Sequence, residues 1–158
     1  MARPDSYTLA YLDSCVFTRY YTRGEGSHFI QQIMDAADAR QFEICTSTFT
    51  LVECLGQSPT PRPDVGMEAR VQKHLDSPRV TLVEFSREVA LQARELHLTK
   101  QYRSGDAIHL ASAVEAGADV LFTLDNDDFQ IGQRVNGVWI DNPYLPGDPN
   151  LFDQTGTD

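Results

Sequence analysis

The sequence is short of cysteine, of basic charge and of long apolar runs, and each shortage excludes something. Its three cysteines, Cys15, Cys45 and Cys54, form no CxxC pair. An odd, scattered set reads as reduced thiols, not as a zinc site or a disulfide framework. No apolar run approaches the ~18 residues that a membrane span needs. Met1 to Leu12 carries one basic residue, then Pro4 and Asp5, and its apolar part is too short for a secretory signal. A cytoplasmic protein without membrane attachment is expected. Basic residues number 13 against 23 acids, a formal net charge of -10. Taken alone, that balance argues against nucleic acid, because phosphates repel an acidic surface.

What is present is a chain of 158 residues with 41% hydrophobic side chains, enough for one domain with a core of its own. Tyr7 to Leu12 reads as a buried strand. Ser27 to Arg40 has apolar residues at helical spacing, with Ser27 as its N-cap. Phe42 to Cys45 is a second strand, and Thr46 to Leu55 a helix stopped by Gly56. Gln57 to Pro63 is a proline-rich loop. Asp64 to Leu75 is helical, Val80 to Phe85 a third strand, and Ser86 to Leu98 another helix. A helix opening at Ser104 or Gly105 runs from Asp106 to Ala116 and closes at Gly117. Val120 to Leu124 is a fourth strand and Val138 to Ile140 a short last one. Residues 1–140 form the domain, and 141–158 a polar tail rich in Pro, Gly and Asp.

Short apolar strands alternating with helices predict an α/β fold of three layers, with a mainly parallel sheet of four or five strands covered on both faces. Ligands of such sheets bind beyond the carboxyl ends of the strands, where strand order reverses. Acids stand at those ends. Asp13 ends the first strand and Asp125 the fourth. Glu53 follows the second strand, and Asp106 lies in the first turn of the helix before the fourth. Each alone has an ordinary reading: a turn residue, a solvated helix position, an acid favoured by a helix dipole. Four converging carboxylates are costly unless a cation neutralises them. Hard ions such as Mg²⁺ or Mn²⁺ take carboxylate oxygens and also bind phosphates. The physical reading is a carboxylate metal site for phosphoryl chemistry.

Three stretches resemble the PIN-domain family, and within it the single-domain toxins of the VapC type. Tyr11-Leu12-Asp13-Ser14 is the first, and Thr46-Ser47-Thr48-Phe49-Thr50-Leu51-Val52-Glu53 the second. The third runs from Asp106-Ala107-Ile108-His109-Leu110-Ala111-Ser112-Ala113 through Gly117-Ala118-Asp119 to Leu121-Phe122-Thr123-Leu124-Asp125 and Phe129. The resemblance implies a metal-dependent endoribonuclease in which Asp13, Glu53, Asp106 and Asp125 hold Mg²⁺ or Mn²⁺. It also implies a cognate antitoxin, a homodimer and an RNA substrate. One departure stands out: Phe129 follows Asp125 by four residues where the family has three, which raises the question of Asp127 and Asp128. Ser14 and Thr123 are the hydroxyls expected beside the acids.

Other classes remain open. A phosphatase using Asp13 as nucleophile would want an acid two residues later, where Cys15 stands. A non-catalytic PIN-like scaffold would not need all four acids. His109 reads as a satisfied, partly buried helix residue, and His28, His74 and His97 as solvated. Arg19 and Arg23 are either RNA contacts or a solvated face. The charge is unevenly spread: residues 119–158 hold eight acids against Arg134 alone. The acidity therefore divides into the four-acid site and a mostly C-terminal segment. It no longer excludes RNA, and it suggests a basic protein partner.

Overall fold

In the computed structural model, which describes residues 2–54 and 64–147, the first strand, β1 (Leu9–Leu12), alternates between two cores. Ala10 and Leu12 face one and Tyr11 the other, following the two-residue period of a strand. Asp13 ends β1 and caps α1 (Ser14–Thr22), its carboxylate accepting from the backbone N–H of Cys15 at 2.6 Å. Next comes α2 (Ser27–Asp38), whose cap position is Gly26 in the left-handed region. Ser27, expected as the cap, is instead the first helical residue.

The second strand, β2 (Glu43–Ser47), is longer than expected, and the helix after it, α3 (Thr50–Glu53), is a single turn. Thr46 and Ser47 stay extended because they pair with Leu82 and Val83 of β3 (Val80–Val83), which their neighbours in sequence do not announce. The expected end of that helix and the proline-rich loop 57–63 lie outside the described residues. Before β3 comes α4 (Val65–Leu75), capped by Asp64. After it come α5 (Arg87–Lys100), capped by Ser86, and α6 (Ser104–Ala116), which ends at Gly117 with φ 69°. At such a φ glycine carries no Cβ penalty.

Three strands close the chain: β4 (Val120–Phe122), β5 (Gln133–Val135) and β6 (Val138–Asp141). The sheet has six strands in the order β3-β2-β1-β4-β6-β5, parallel except for the β5–β6 hairpin. The sheet thus has one strand more than the upper figure of the four or five expected. The additional strand is β5, joined to β6 by Asn136 and Gly137 at φ 49° and 89°, the positive angles that a two-residue hairpin turn demands.

Helices α1, α2 and α4 cover one face of the sheet and α5 with α6 the other. Phe17, Ile30, Ile33, Leu75 and Phe122 fill the first core, and Val89, Leu96, Leu110, Leu121 and Ile140 the second. Of the residues read as the tail, 141–147 are described, and some of them pack into the fold. Asp141 belongs to β6, where it accepts from the Trp139 indole at 2.9 Å and pairs with Arg3 at 3.3 Å. Tyr144 is 2% exposed and packs edge-on against Tyr7 and Phe122. Residues 148–158 lie outside the described part. Among the described residues no helix is long and apolar enough to cross a membrane.

Candidate functional site

Strand order reverses at β1. The chain builds outward through β2 and β3, then returns through α5 and α6 to place β4 on the other side of β1. The crevice beyond the carboxyl ends of β1 and β4 is the place where such a sheet binds ligands. Asp13 stands there, 4% exposed, with both carboxylate oxygens held. Oδ1 accepts from the N–H of Cys15, and Oδ2 from the Thr123 hydroxyl at 2.7 Å. The same hydroxyl oxygen accepts from the N–H of Asp125 at 3.0 Å. Thr123 thus fixes two acids across the switch point. The backbone supports this arrangement, since the N–H of Asp13 donates to the carbonyl of Phe122.

Asp125 turns the chain that follows. Its Oδ1 accepts from the N–H groups of Asp127 and Asp128 at 3.1 and 3.0 Å. Phe129 anchors the far end of this turn, buried against Tyr102 with ring centroids 5.8 Å apart. Asn142 ties the turn to β6, its amide donating to the Thr123 carbonyl and to Asn126. The extra residue before Phe129 leaves Asp127 exposed and directs Asp128 inward, where Arg103 reaches it at 3.1 Å. Burial, then the hydrogen bond and charge of Asp125, push the Asp128 carboxyl above its usual range.

Asp106 approaches from the first turn of α6. Burial, then the charges of Asp128, Asp13 and Asp125, push its carboxyl up to about 6 against the weaker pull of His109. That coupling places Asp13, Asp106, Asp125 and Asp128 in one electrostatic field. Glu53 comes from α3 on the β2 side, close enough to α6 that a Cβ on Gly105 would meet its Oε2 at 3.6 Å. Burial works against the charged form of Glu53. The hydrogen bond and charge of His109, together with the Ser14 hydroxyl, prevail and hold its carboxyl below the usual range. The His109 ring is 2% exposed and spans from Glu53 to Tyr11, its Nε2 lying 2.5 Å from Glu53 Oε1.

All four acids expected from the sequence therefore line this crevice, with Ser14 and Thr123 beside them. Two further members escaped sequence reasoning. Asp128 had been left open, and the signal for it was the one-residue offset of Phe129. The partnership of His109 with Glu53 was not anticipated; its position one turn after Asp106 was the available clue. His74 is half-buried and pairs with the Tyr21 hydroxyl, whereas His97 is exposed as expected, its Nδ1 lying 2.6 Å from the Tyr102 carbonyl. Arg19 donates to the carbonyl of Glu25 in the turn between α1 and α2. Cys15 packs inside the crevice, burial and Asp13 pushing its thiol up to about 12, which is not the profile of a nucleophile.

The donors are hard carboxylate oxygens, the set that suits Mg²⁺ or Mn²⁺ and not a soft metal. Among the described residues no three His, Cys, Asp or Glu side chains stand ready to hold an ion as they are.

A family model described as PIN domain matches residues 10–132. No curated protein matches the chain significantly. Three solved structures share the fold. A toxin-antitoxin complex from Klebsiella pneumoniae aligns with a TM-score of 0.59 at 20% identity, covering 82% of this chain and 94% of the other. VapBC2 from Rickettsia felis, bound to a DNA fragment from its promoter, gives 0.62 at 15%, covering 85% and 98%. VapC20 from Mycobacterium tuberculosis, a Sarcin-Ricin loop cleaving toxin, gives 0.58 at 15%, covering 75% and 91%.

Proposed function

The chain belongs to the PIN domain family, and from its acidic crevice we propose that it is a metal-dependent endoribonuclease, the toxin of a toxin–antitoxin pair. One observation carries this reading: Asp13, Asp106, Asp125 and Asp128 share the switch-point crevice, where burial first, and then the charges of Asp128, Asp13 and Asp125, raise Asp106 to about 6. Acids arranged at such a cost are what a divalent cation relieves. Asp13, Glu53, Asp106 and Asp125 would hold one or two Mg²⁺ or Mn²⁺ ions. When bound, such an ion supplies Lewis acidity, neutralising phosphate charge and lowering the pKa of an attacking water.

The protein's own residues do the rest. Thr123 and the N–H of Cys15 fix Asp13. The turn N–H groups fix Asp125. Whichever of the four carboxylates is not fully engaged with the cation would accept the proton of the attacking water. Arg103, exposed at the mouth of the crevice, is available to a phosphate of the RNA backbone once it leaves Asp128.

The partner reading is supported by the antitoxin-bound neighbours and by the net charge of -10, which favours a basic segment across the crevice. A homodimer belongs to the same reading. The test is incubation of end-labelled RNA with the purified chain in Mn²⁺, beside p-nitrophenyl phosphate. Internal cleavage leaving 5′-phosphate ends, absent in EDTA and in Asp13→Asn, is the expected result. Turnover of p-nitrophenyl phosphate with intact RNA would assign a phosphatase. Inactivity on both, with no divalent ion bound, would assign a scaffold.

A further inference from the structure

Two polar side chains of the second core, Tyr11 and His109, have no part in the proposed hydrolysis but are joined to Glu53 by hydrogen bonds. Tyr11 lies in β1, two residues before Asp13, and is fully buried. Its hydroxyl lies 2.6 Å from Nδ1 of His109. The other ring nitrogen, Nε2, lies 2.5 Å from Oε1 of Glu53. The Tyr11 and Phe49 rings flank the buried imidazole, with centroids 5.8 and 5.7 Å away. The imidazole therefore has no room to swing, and each nitrogen has one partner.

The direction of the hydrogen bonds follows from the partners. A carboxylate only accepts, so Nε2 carries the proton toward Glu53. In the neutral imidazole the other nitrogen, Nδ1, is then an acceptor, and the Tyr11 hydroxyl donates to it. The order runs Tyr11 O–H to His109 Nδ1, then His109 Nε2–H to Glu53. Glu53 needs this support more than Asp13 or Asp125 does. Asp13 is gripped by Cys15 and Thr123, and Asp125 by its own turn. Glu53 sits at the end of a single helical turn, where a long side chain has three torsions to lose.

We infer that Tyr11 and His109 are positioning residues, a buried hydrogen-bonded chain that aims the Glu53 carboxylate into the crevice and fixes how firmly it engages a divalent cation. This rests on the reading of Glu53 as a cation ligand. Partners that orient a ligand in this way are worth about 10- to 100-fold in metal affinity or activity.

The variants are Tyr11→Phe, which deletes one hydroxyl and keeps the ring, His109→Leu, and His109→Gln, whose amide N–H can stand where Nε2–H stood. Mn²⁺ titration calorimetry on the purified chain reads affinity, and thermal unfolding verifies the fold. Tyr11→Phe is expected to weaken Mn²⁺ binding about 10-fold and to lower kcat with KM for RNA unchanged. His109→Leu should weaken binding further, and His109→Gln should recover most of it. In a Glu53→Gln background Tyr11→Phe should have no further effect on affinity, since the chain then has nothing to aim. A structural role alone would instead give effects that add.

A readout without metal or RNA is the exchange of the His109 Nε2 proton by NMR, slow in the wild type and fast in Tyr11→Phe. Wild-type affinity in Tyr11→Phe and His109→Leu, additive effects with Glu53→Gln, or a fast-exchanging proton in the wild type would each overturn the inference. A wild-type chain that binds no Mn²⁺ would sink the cation reading first, and the positioning role with it, while slow proton exchange would still establish the hydrogen-bonded chain.

Discussion

Asp106 and Thr123 carry the sharpest consequences among single residues. An acid whose folded-state value is raised from 3.8 to about 6 leaves the folded state holding more protons between those values. Stability then falls as pH rises through that window and stays reduced above it. Asp106→Asn is therefore expected to unfold about 2 °C higher than the wild type at pH 7.5 in EDTA, the half-exposed position limiting the gain. The advantage should shrink to a minor part at pH 4.5, inside the window, and vanish only below 3.8. Saturating Mn²⁺ should narrow or reverse the order, because the wild type gains more from the ion. Differential scanning calorimetry at the two pH values checks all three. Thr123 is fully buried and serves Asp13 as donor and Asp125 as acceptor. Thr123→Val keeps the shape and removes both bonds. It should cost about 1–3 kcal/mol in a urea melt and lower RNA cleavage about 10- to 100-fold.

Among the elements, the two ends of the sheet have separate jobs, and a variant at the far end tests that division. Asp119, just before β4, lies at the edge opposite the crevice. Its Oδ2 accepts from the N–H groups of Thr8 and Leu9 at 2.8 and 3.0 Å and from the Thr8 hydroxyl at 3.0 Å, fastening β4 to the start of β1. Burial opposes its charge, but these donors and Arg134 prevail and hold its carboxyl below the usual range. A depressed acid contributes stability above its unfolded value, and that contribution is lost as pH falls through its folded value. Asp119→Ala should cost about 1–3 kcal/mol at pH 7 and less near pH 3, with cleavage per folded molecule unchanged. The alternation of strands and helices was legible because each strand is a short apolar run and each of α4, α5 and α6 carries its own cap or stop. The length of β2 was not, since Thr46 and Ser47 read locally as a helix start and only pairing with β3 extends them. The hairpin strand β5 was announced by Asn136-Gly137, but Gln133 and Arg134 carry no apolar pattern. Three of the four acids were visible at strand ends or in a first helical turn. Glu53 stood out through its apolar neighbours, whereas its link to His109 depends on α3 and α6 meeting across the sheet.

For the whole molecule, the charge that first argued against nucleic acid becomes part of the account. Excess acid gathers in the crevice and in the C-terminal segment, so RNA binding should be weak without a divalent ion and should strengthen when one is added. Filter binding of RNA to Asp106→Asn, with and without Mn²⁺, should show the gain shrink when that carboxylate is lost. The central claim is that four acids from separate elements form one divalent-cation site at the point where the sheet reverses. The most direct measurement is calorimetric titration of Mn²⁺ into the wild type and into Asp13→Asn, Glu53→Gln, Asp106→Asn and Asp125→Asn at pH 7.5. Saturable binding in the wild type, weakened at least 10-fold in each variant, is the predicted result. No binding to the wild type, or binding that survives all four substitutions, would contradict it.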